Sequence, residues 1–458
     1  MPTTPKSLAV QASIIRIVGV FEISSTSSGR TPSTAQCLAN AGFLPEVIDQ
    51  EKFDIMQNIF YPEFVNIMYA CPETEPSPVF KGAAREGEAR VLWRQVGLEA
   101  ALGLKRRPPE PDRAPFTIDH AEVFLFPEPS LGVFAVDISA GDHATLGAVS
   151  DLTFGLRAFD APIHVNDQPA VKLATFIQHR VLGGIPVGGE TSAVDAYSGS
   201  KFKMFSVVDL AEPQTPDERR HLLFDLGCGV PLGSAEGFGF FAPATQYYDT
   251  LMGDLVSAFQ NYDALPLLDS FTAVGHKLLP KQYANARDSW ATSYFRLYVF
   301  NLFVKFSLHR YAADLSTESA VPLRAKFERF LRWYEVGRVS FNFLPEMLYD
   351  GMRKGLAVDD ELARFRERIQ RLSTNIQEAQ AERANKLLGL VSALGTLSSA
   401  GAVIAFLREA DTLLGWPPAL FYSLLTALIV ALGVSIAAYM FPDQRKKVIS
   451  RWKKPRSR

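Results

Sequence analysis

Cysteine is scarce in this chain. Cys37, Cys71 and Cys228 stand far apart among 458 residues, so a disulfide-stapled scaffold is excluded and a reducing compartment fits. The seven histidines (120, 143, 164, 179, 221, 276, 309) show no ligand spacing with one another or with cysteine. A zinc motif is therefore missing, as are a P-loop and a serine elbow. An excess of one charge is lacking too: 47 Lys and Arg against 49 Asp and Glu leave a net −2. That balance hides an asymmetry. Eight of the fourteen residues 445–458 are basic, and without them 39 basic residues face 49 acidic ones. A basic tail on an acidic body is not the basic folded face that nucleic acid needs, so no nucleic-acid partner is expected. No signal-peptide core opens the chain, since "SLAVQASIIRIVGVFEIS" carries Arg16 mid-run and reads as a strand. No internal repeat is visible.

Long charge-free runs are present at the other end. Residues 387–407, "LLGLVSALGTLSSAGAVIAFL", give 21 such positions, and 419–441, "ALFYSLLTALIVALGVSIAAYMF", give 23. As helices rising about 1.5 Å per residue, each is long enough for a ~30 Å hydrocarbon layer. The sequence thus predicts an α/β cytoplasmic domain (1–287), a long helical stalk (288–386) and two C-terminal transmembrane helices (387–407 and 419–441). An extracytoplasmic loop (408–418) joins the helices, and a basic cytoplasmic tail (442–458) follows. The basic flanks place both termini in the cytoplasm of a multi-pass inner or plasma-membrane protein. An apolar 3–4 spacing runs from Leu362 through Phe365, Ile369, Leu372 and Ile376. It predicts a coiled-coil-like helix that continues into the first span.

Upstream, "SIIRIVGVFEI", "AEVFLFPEPSLGVFAVDIS", "DLTFGLRAF" and "KFKMFSVVDL" read as strands. "EKFDIMQNIFYPEFVNIMYA", "TQYYDTLMGDLVSAFQNY" and the aromatic-rich "SWATSYFRLYVFNLFVKFSLHRYAADL" read as helices. Arg296, Asn301, Lys305 and His309 exclude the last as a span. "STESAVPLRAKFERFLRWYEVG" follows as another helix. Residues 80–116, polar and proline-rich, read as a surface loop. "LLFDLGCG" at 222–229 matches the glycine motif of S-adenosylmethionine-dependent methyltransferases. It runs into Pro231 instead of a helix start, so it reads as a strand ending in a tight turn. "GGIPVGGE" at 183–190 reads as a mobile loop and a lesser candidate for touching a ligand.

The stalk stretches "LRAKFERFLRWYEVG" and "ELARFRERIQRLSTNIQEAQAERANKLLGLVSALGTL", leading into two spans, resemble the CorA-type magnesium channel family. That resemblance implies a CorA-like pentameric pore lined by the first span and gated by its cytoplasmic domain, a cation channel and not an enzyme. Its cofactor would be magnesium or another divalent cation. Its partners would be membrane lipid, further copies of itself and a small-molecule regulator. The family's Gly-Met-Asn signature is missing from "READTLLGWPPA", which puts magnesium selectivity in doubt. Asn385, Ser392, Thr396 and Ser399 fall at i, i+7, i+11 and i+14, one helix face, and are the candidate pore lining. Bonding of their hydroxyls to the preceding turn is the alternative. Glu409 and Asp411 are candidates for a carboxylate ring at the outer mouth. The alternative function is a ligand-triggered membrane effector of stress or phage-defence type, opened by a small nucleotide signal. A methyltransferase built on the DLGCG match ranks below both.

Overall fold

The β-branched and aromatic stretches assemble into one mixed sheet. The computed structural model describes residues 5–24, 33–69, 89–104, 112–141, 144–166, 168–187, 199, 201–237, 239–279, 289–315 and 320–414, with scattered positions as far as 430. Ten strands are described: β1 (Val10–Glu22), β2 (Leu44–Pro45), β3 (Arg90–Gly103), β4 (Arg113–Phe126), β5 (Leu131–Ser139), β6 (Pro162–His164), β7 (Val171–Lys172), β8 (Lys203–Leu210), β9 (Tyr262–Pro266) and β10 (Ser270–His276). Their order is β7-β6-β3-β4-β5-β1-β8-β10-β9, with β2 against the side of β3. Neighbours are antiparallel apart from the parallel pair β8–β10. The long hairpin β4–β5 and strand β1 form the centre, where most of β1, most of β5 and the second half of β4 are buried.

Successive residues point to opposite faces of a strand. In β1, Ile15, Ile17 and Phe21 face one core, into which α4 (Leu146–Gly155) brings Val149 and Leu152 and α6 (Pro216–Cys228) brings Leu222, Leu223 and Leu226. Four shorter helices precede α6: α1 (Thr34–Asn40), α2 (Gln50–Ile59), α3 (Pro62–Met68) and α5 (Leu173–Phe176); α7 (Thr245–Gly253) follows it. The other face carries α8 (Phe295–Asp314). Phe303 of α8 stacks on Phe126 of β4 at 3.6 Å between ring centroids, and Phe295 packs on Phe205 of β8 at 5.2 Å. Outside α8 lie α9 (Ala320–Tyr334) and α10 (Phe343–Gly355), which meet it through Tyr334 and Tyr349.

Helix α8 is buried on nearly every side, as a helix apolar all round must be. Its buried cations find partners, while the Tyr298 and Tyr311 hydroxyls and Asn301 Oδ1 have none among the described residues. Lys305 Nζ donates to the carbonyls of Leu268 (3.3 Å) and Leu356 (2.9 Å), and Arg296 pairs with Glu46. The chain divides into two units, Met1–Glu367 and Arg368–Arg458. The 57-residue helix α11 (Val358–Leu414) begins in the first, where Phe365 packs against Phe327.

The α/β domain with a stalk and two C-terminal transmembrane helices is corrected here. Among the described residues no helix is long and apolar enough to cross a membrane. The run 387–407 is not a separate element but the later part of α11. The helix carries Arg383 and Lys386 before the run and continues through Arg408 and Glu409 after it. Seven of the 21 residues are Gly, Ser or Thr, which dilutes the apolar character of the stretch. Of the run 419–441 the structure describes isolated positions, and 431–458, basic tail included, lies outside the described residues. The CorA-like architecture, the membrane-channel description and the multi-pass localisation fall with the spans.

Three local expectations change as well. "DLTFGLRAF" contributes to helix α4, whose N-terminus Thr145 caps by accepting from Ala148 N. Residues 90–103, inside the stretch read as a loop, form β3. "LLFDLGCG" is the last two turns of α6, and Gly229 ends the helix in the left-handed region at φ 64°. Arg157 Nη2 donates to the orphan carbonyls of Leu226 (3.2 Å) and Gly227 (2.9 Å), placing a cation at the negative end of the helix dipole. Asp225 accepts from Gly233 N (2.6 Å) and Ala235 N (2.9 Å), which folds the next loop back on the helix. The Asp225 carboxylate and the Leu226 and Gly227 carbonyls therefore serve the end of a helix, and the strand–turn–helix that cofactor binding needs is not formed there.

Candidate functional site

Helix α8 covers the centre of its face of the sheet but not the outer ends of β3, β4 and β5. The uncovered surface forms a cleft of about 340 Å³ with Glu99, Ala101, Arg113, Pro115, Thr117, Ser139, His164 and Asn166 along it. Pairing fixes their places. Glu99, Thr117 and Ser139 lie side by side across three strands. Ala101 comes next along β3 on the same face, flanked by Pro115 and His164. Gly103 follows, opposite Arg113.

Gly103 matters for what it lacks. A Cβ built there would stand 3.1 Å from His164 Nε2, so the imidazole overhangs the glycine from one side while Arg113 flanks it from the other. The imidazole and Pro162, whose Cγ is also 3.1 Å from that Cβ, fill the space over the glycine, with the Arg113 cation beside them. Neither Arg113 nor Glu99 has an ion-pair partner among the described residues. Asn166, at the rim, holds φ 52°, a region that Asn tolerates better than most residues.

Two residues inward along β5 from Ser139, about 7 Å, is Asp137. It faces Arg16 directly across the β1–β5 pairing. Arg16 Nε donates to Asp137 Oδ2 at 3.0 Å, its Nη1 lies 3.6 Å from Glu122 Oε2, and its guanidinium sits 4.2 Å over the ring of Phe295. His120 Nε2 completes the row, 3.5 Å from Glu122 and 3.8 Å from Asp137. Burial alone would raise the Glu122 pKa, but the Arg16 charge and the His120 hydrogen bond more than offset it and hold it at about 2. Burial likewise lowers His120, and the hydrogen bond to Glu122 with the Asp137 charge outweighs it, so His120 stays protonated above its ordinary range. The row pairs its charges within itself, with Arg16 Nη1 left without a hydrogen-bond acceptor. It anchors the sheet beneath α8.

The residues singled out from sequence are elsewhere. Asn385, Ser392, Thr396 and Ser399 all lie on α11, with Asn385, Ser392 and Ser399 exposed. Ser399 Oγ donates to the carbonyl of Gly395 at 2.9 Å, the back-bonding alternative. Glu409 and Asp411 are helical, near the end of α11. Gly183 and Gly184 of the glycine-rich loop have φ 64° and 101°, and residues 188–190 lie outside the described residues. Among the described residues no group of three or more His, Cys, Asp or Glu could hold a metal ion. The cleft residues went unnoticed because they are scattered between positions 99 and 166 and share no motif. Alternation of exposed and buried residues in "RVLWRQVGLEAALG" was the available signal.

No family model, no curated protein and no solved structure matches this chain.

Proposed function

We propose that the protein is a ligand-binding module with a self-associating helix, and not an enzyme. The observation that carries this is the cleft: a concave site of small-molecule size on which Glu99, Arg113 and Thr117 converge without partners among the described residues, beside Ser139, whose Oγ accepts from Gly141 N. Its hydroxyls, Thr117 and Ser139, have no base within hydrogen-bond distance among the described residues, which favours binding over nucleophilic chemistry. The test is thermal unfolding of the full chain against a panel of small polar metabolites, beside Ala101→Phe, which fills the middle of the cleft. A ligand at a hundred times its Kd stabilises by about 2.7 kcal/mol. A shift in the wild type that vanishes in A101F supports the reading; equal shifts in both place binding elsewhere and end it.

A second observation bears on assembly. Leu387, Leu388, Leu390, Val391 and Phe406 of α11 are between 59% and 70% exposed, and Val403 is 43% exposed. At 100° per residue they span about 220° of the helix circumference. One partner helix covers about 100°, so burying them takes three or more copies. We therefore assign α11 as the self-association element. Light scattering on the full chain should give an oligomer, and Leu390→Asp with Val391→Asp should dissociate it. A wild-type monomer, or a chain that floats with phosphatidylcholine vesicles in place of self-associating, would overturn the assignment.

A further inference from the structure

We infer that the cleft takes a small hydroxylated organic anion, a sugar acid or a sugar phosphate, with its charged group seated between Arg113 and His164. The inference rests on the ligand-binding reading of the cleft and adds the ligand's chemistry.

The two ends of the cleft differ. At one end His164 and Pro162 pack over the side-chain-free Gly103. Arg113 stands opposite on β4, and the His164 imidazole stands 3.1 Å from where a Cβ would be. A guanidinium offers paired donors that match carboxylate and phosphate oxygens, and no carboxylate competes for it among the described residues. At the other end Glu99, Thr117 and Ser139 form one row across three strands. A carboxylate acceptor and two hydroxyls, each able to donate and accept, are the groups that hold a polyol. Between the ends, Ala101 and Pro115 give a short, flat, apolar floor on which a sugar ring can lie.

Length and volume select within that class. Four residues of β3 separate Glu99 from Gly103, roughly 13 Å along the strand. Side chains projecting from both ends shorten the gap to the size of a hexose carrying one anionic group. A volume of about 340 Å³ lies at the small end of ligand pockets. Inorganic phosphate meets only the Arg113 and His164 end, and a neutral sugar only the other, so neither alone draws on the whole site.

Titration calorimetry on the full chain decides, with glucose 6-phosphate, gluconate, glucose and inorganic phosphate as probes. At least one hydroxylated anion should bind tenfold or more tightly than both glucose and phosphate, and the two anions against each other tell a phosphate from a carboxylate group. Arg113→Ala, at an exposed position, should weaken that anion about tenfold or more while melting like the wild type. Thr117→Val with Ser139→Ala should weaken the hydroxylated anion and leave inorganic phosphate unaffected. Glucose binding as well as glucose 6-phosphate, or an unchanged affinity in R113A, would overturn the assignment. A neutral or cationic ligand whose binding A101F abolishes would sink the anion class and leave the binding module standing. If A101F blocks no ligand at all, both fall.

Discussion

Replacing Arg16 with Leu probes the charged row beneath α8. Arg16 is 2% exposed and holds two carboxylates, Asp137 through its Nε and Glu122 through its Nη1. The drop of the Glu122 pKa from 4.5 to about 2 corresponds to about 3 kcal/mol of stability at neutral pH. The sign follows from the direction: a depressed acid stabilises above its unfolded pKa, and the contribution is lost as pH falls from 4.5 toward 2. At pH 3 about 1.4 kcal/mol of it is left. Leaving Asp137 without its guanidinium adds to the cost, and breaking a buried pair by removing one partner costs about 3–5 kcal/mol in all. Urea unfolding followed by tryptophan fluorescence should show R16L less stable by that amount at pH 7, with the gap to wild type narrower by about 2 kcal/mol at pH 3. Adding Glu122→Gln to R16L should recover part of the loss, because a neutral amide is cheaper to bury than an unpaired carboxylate. A gap under about 1 kcal/mol, or one equal at both pH values, would refute this account of the row.

Two further predictions concern the end of α6. Gly229→Ala puts a Cβ 2.9 Å from Arg157 Nη1 at φ 64°, and should cost about 1–3 kcal/mol in melting experiments; a neutral effect would show that Arg157 moves aside freely. Asp225 titrates at about 6 because burial outweighs its backbone hydrogen bonds, so the folded state keeps a proton that the unfolded chain loses from pH 3.8 upward. Stability from this group therefore falls as pH rises from about 4 to 6. Asp225→Asn should flatten the melting temperature across that window, and an unchanged pH profile would rule the assignment out.

Much of the fold was written in local pattern. β1, the β4–β5 hairpin and β8 announce themselves as β-branched and aromatic runs because central strands are apolar on both faces. Helices α2, α3, α8 and α9 were read as helices from their residue pattern, and the polar residues of α8 marked it as something other than a span. β3 was lost because its outer half faces solvent, so Arg94, Gln95 and Glu99 make it look like the proline-rich loops around it. Residues 151–155 were misread because Leu152, Phe154, Leu156 and Ala158 alternate as strand residues do, and the cap at Thr145 with burial against the sheet decides for the helix. DLGCG was ambiguous for a related reason: the glycine a cofactor loop needs is also the glycine a helix end needs, and only the Arg157 guanidinium, 69 and 70 residues from the carbonyls it caps, tells them apart. The apolar run of α11 is plain in sequence, but composition gives its amount of apolar surface and not what lies next to it. The cleft is wholly tertiary. Strand pairing brings Glu99, Arg113, Thr117, Ser139 and His164 together, and the extent of α8 over the sheet leaves them uncovered; no stretch of chain short enough to form a motif contains either fact.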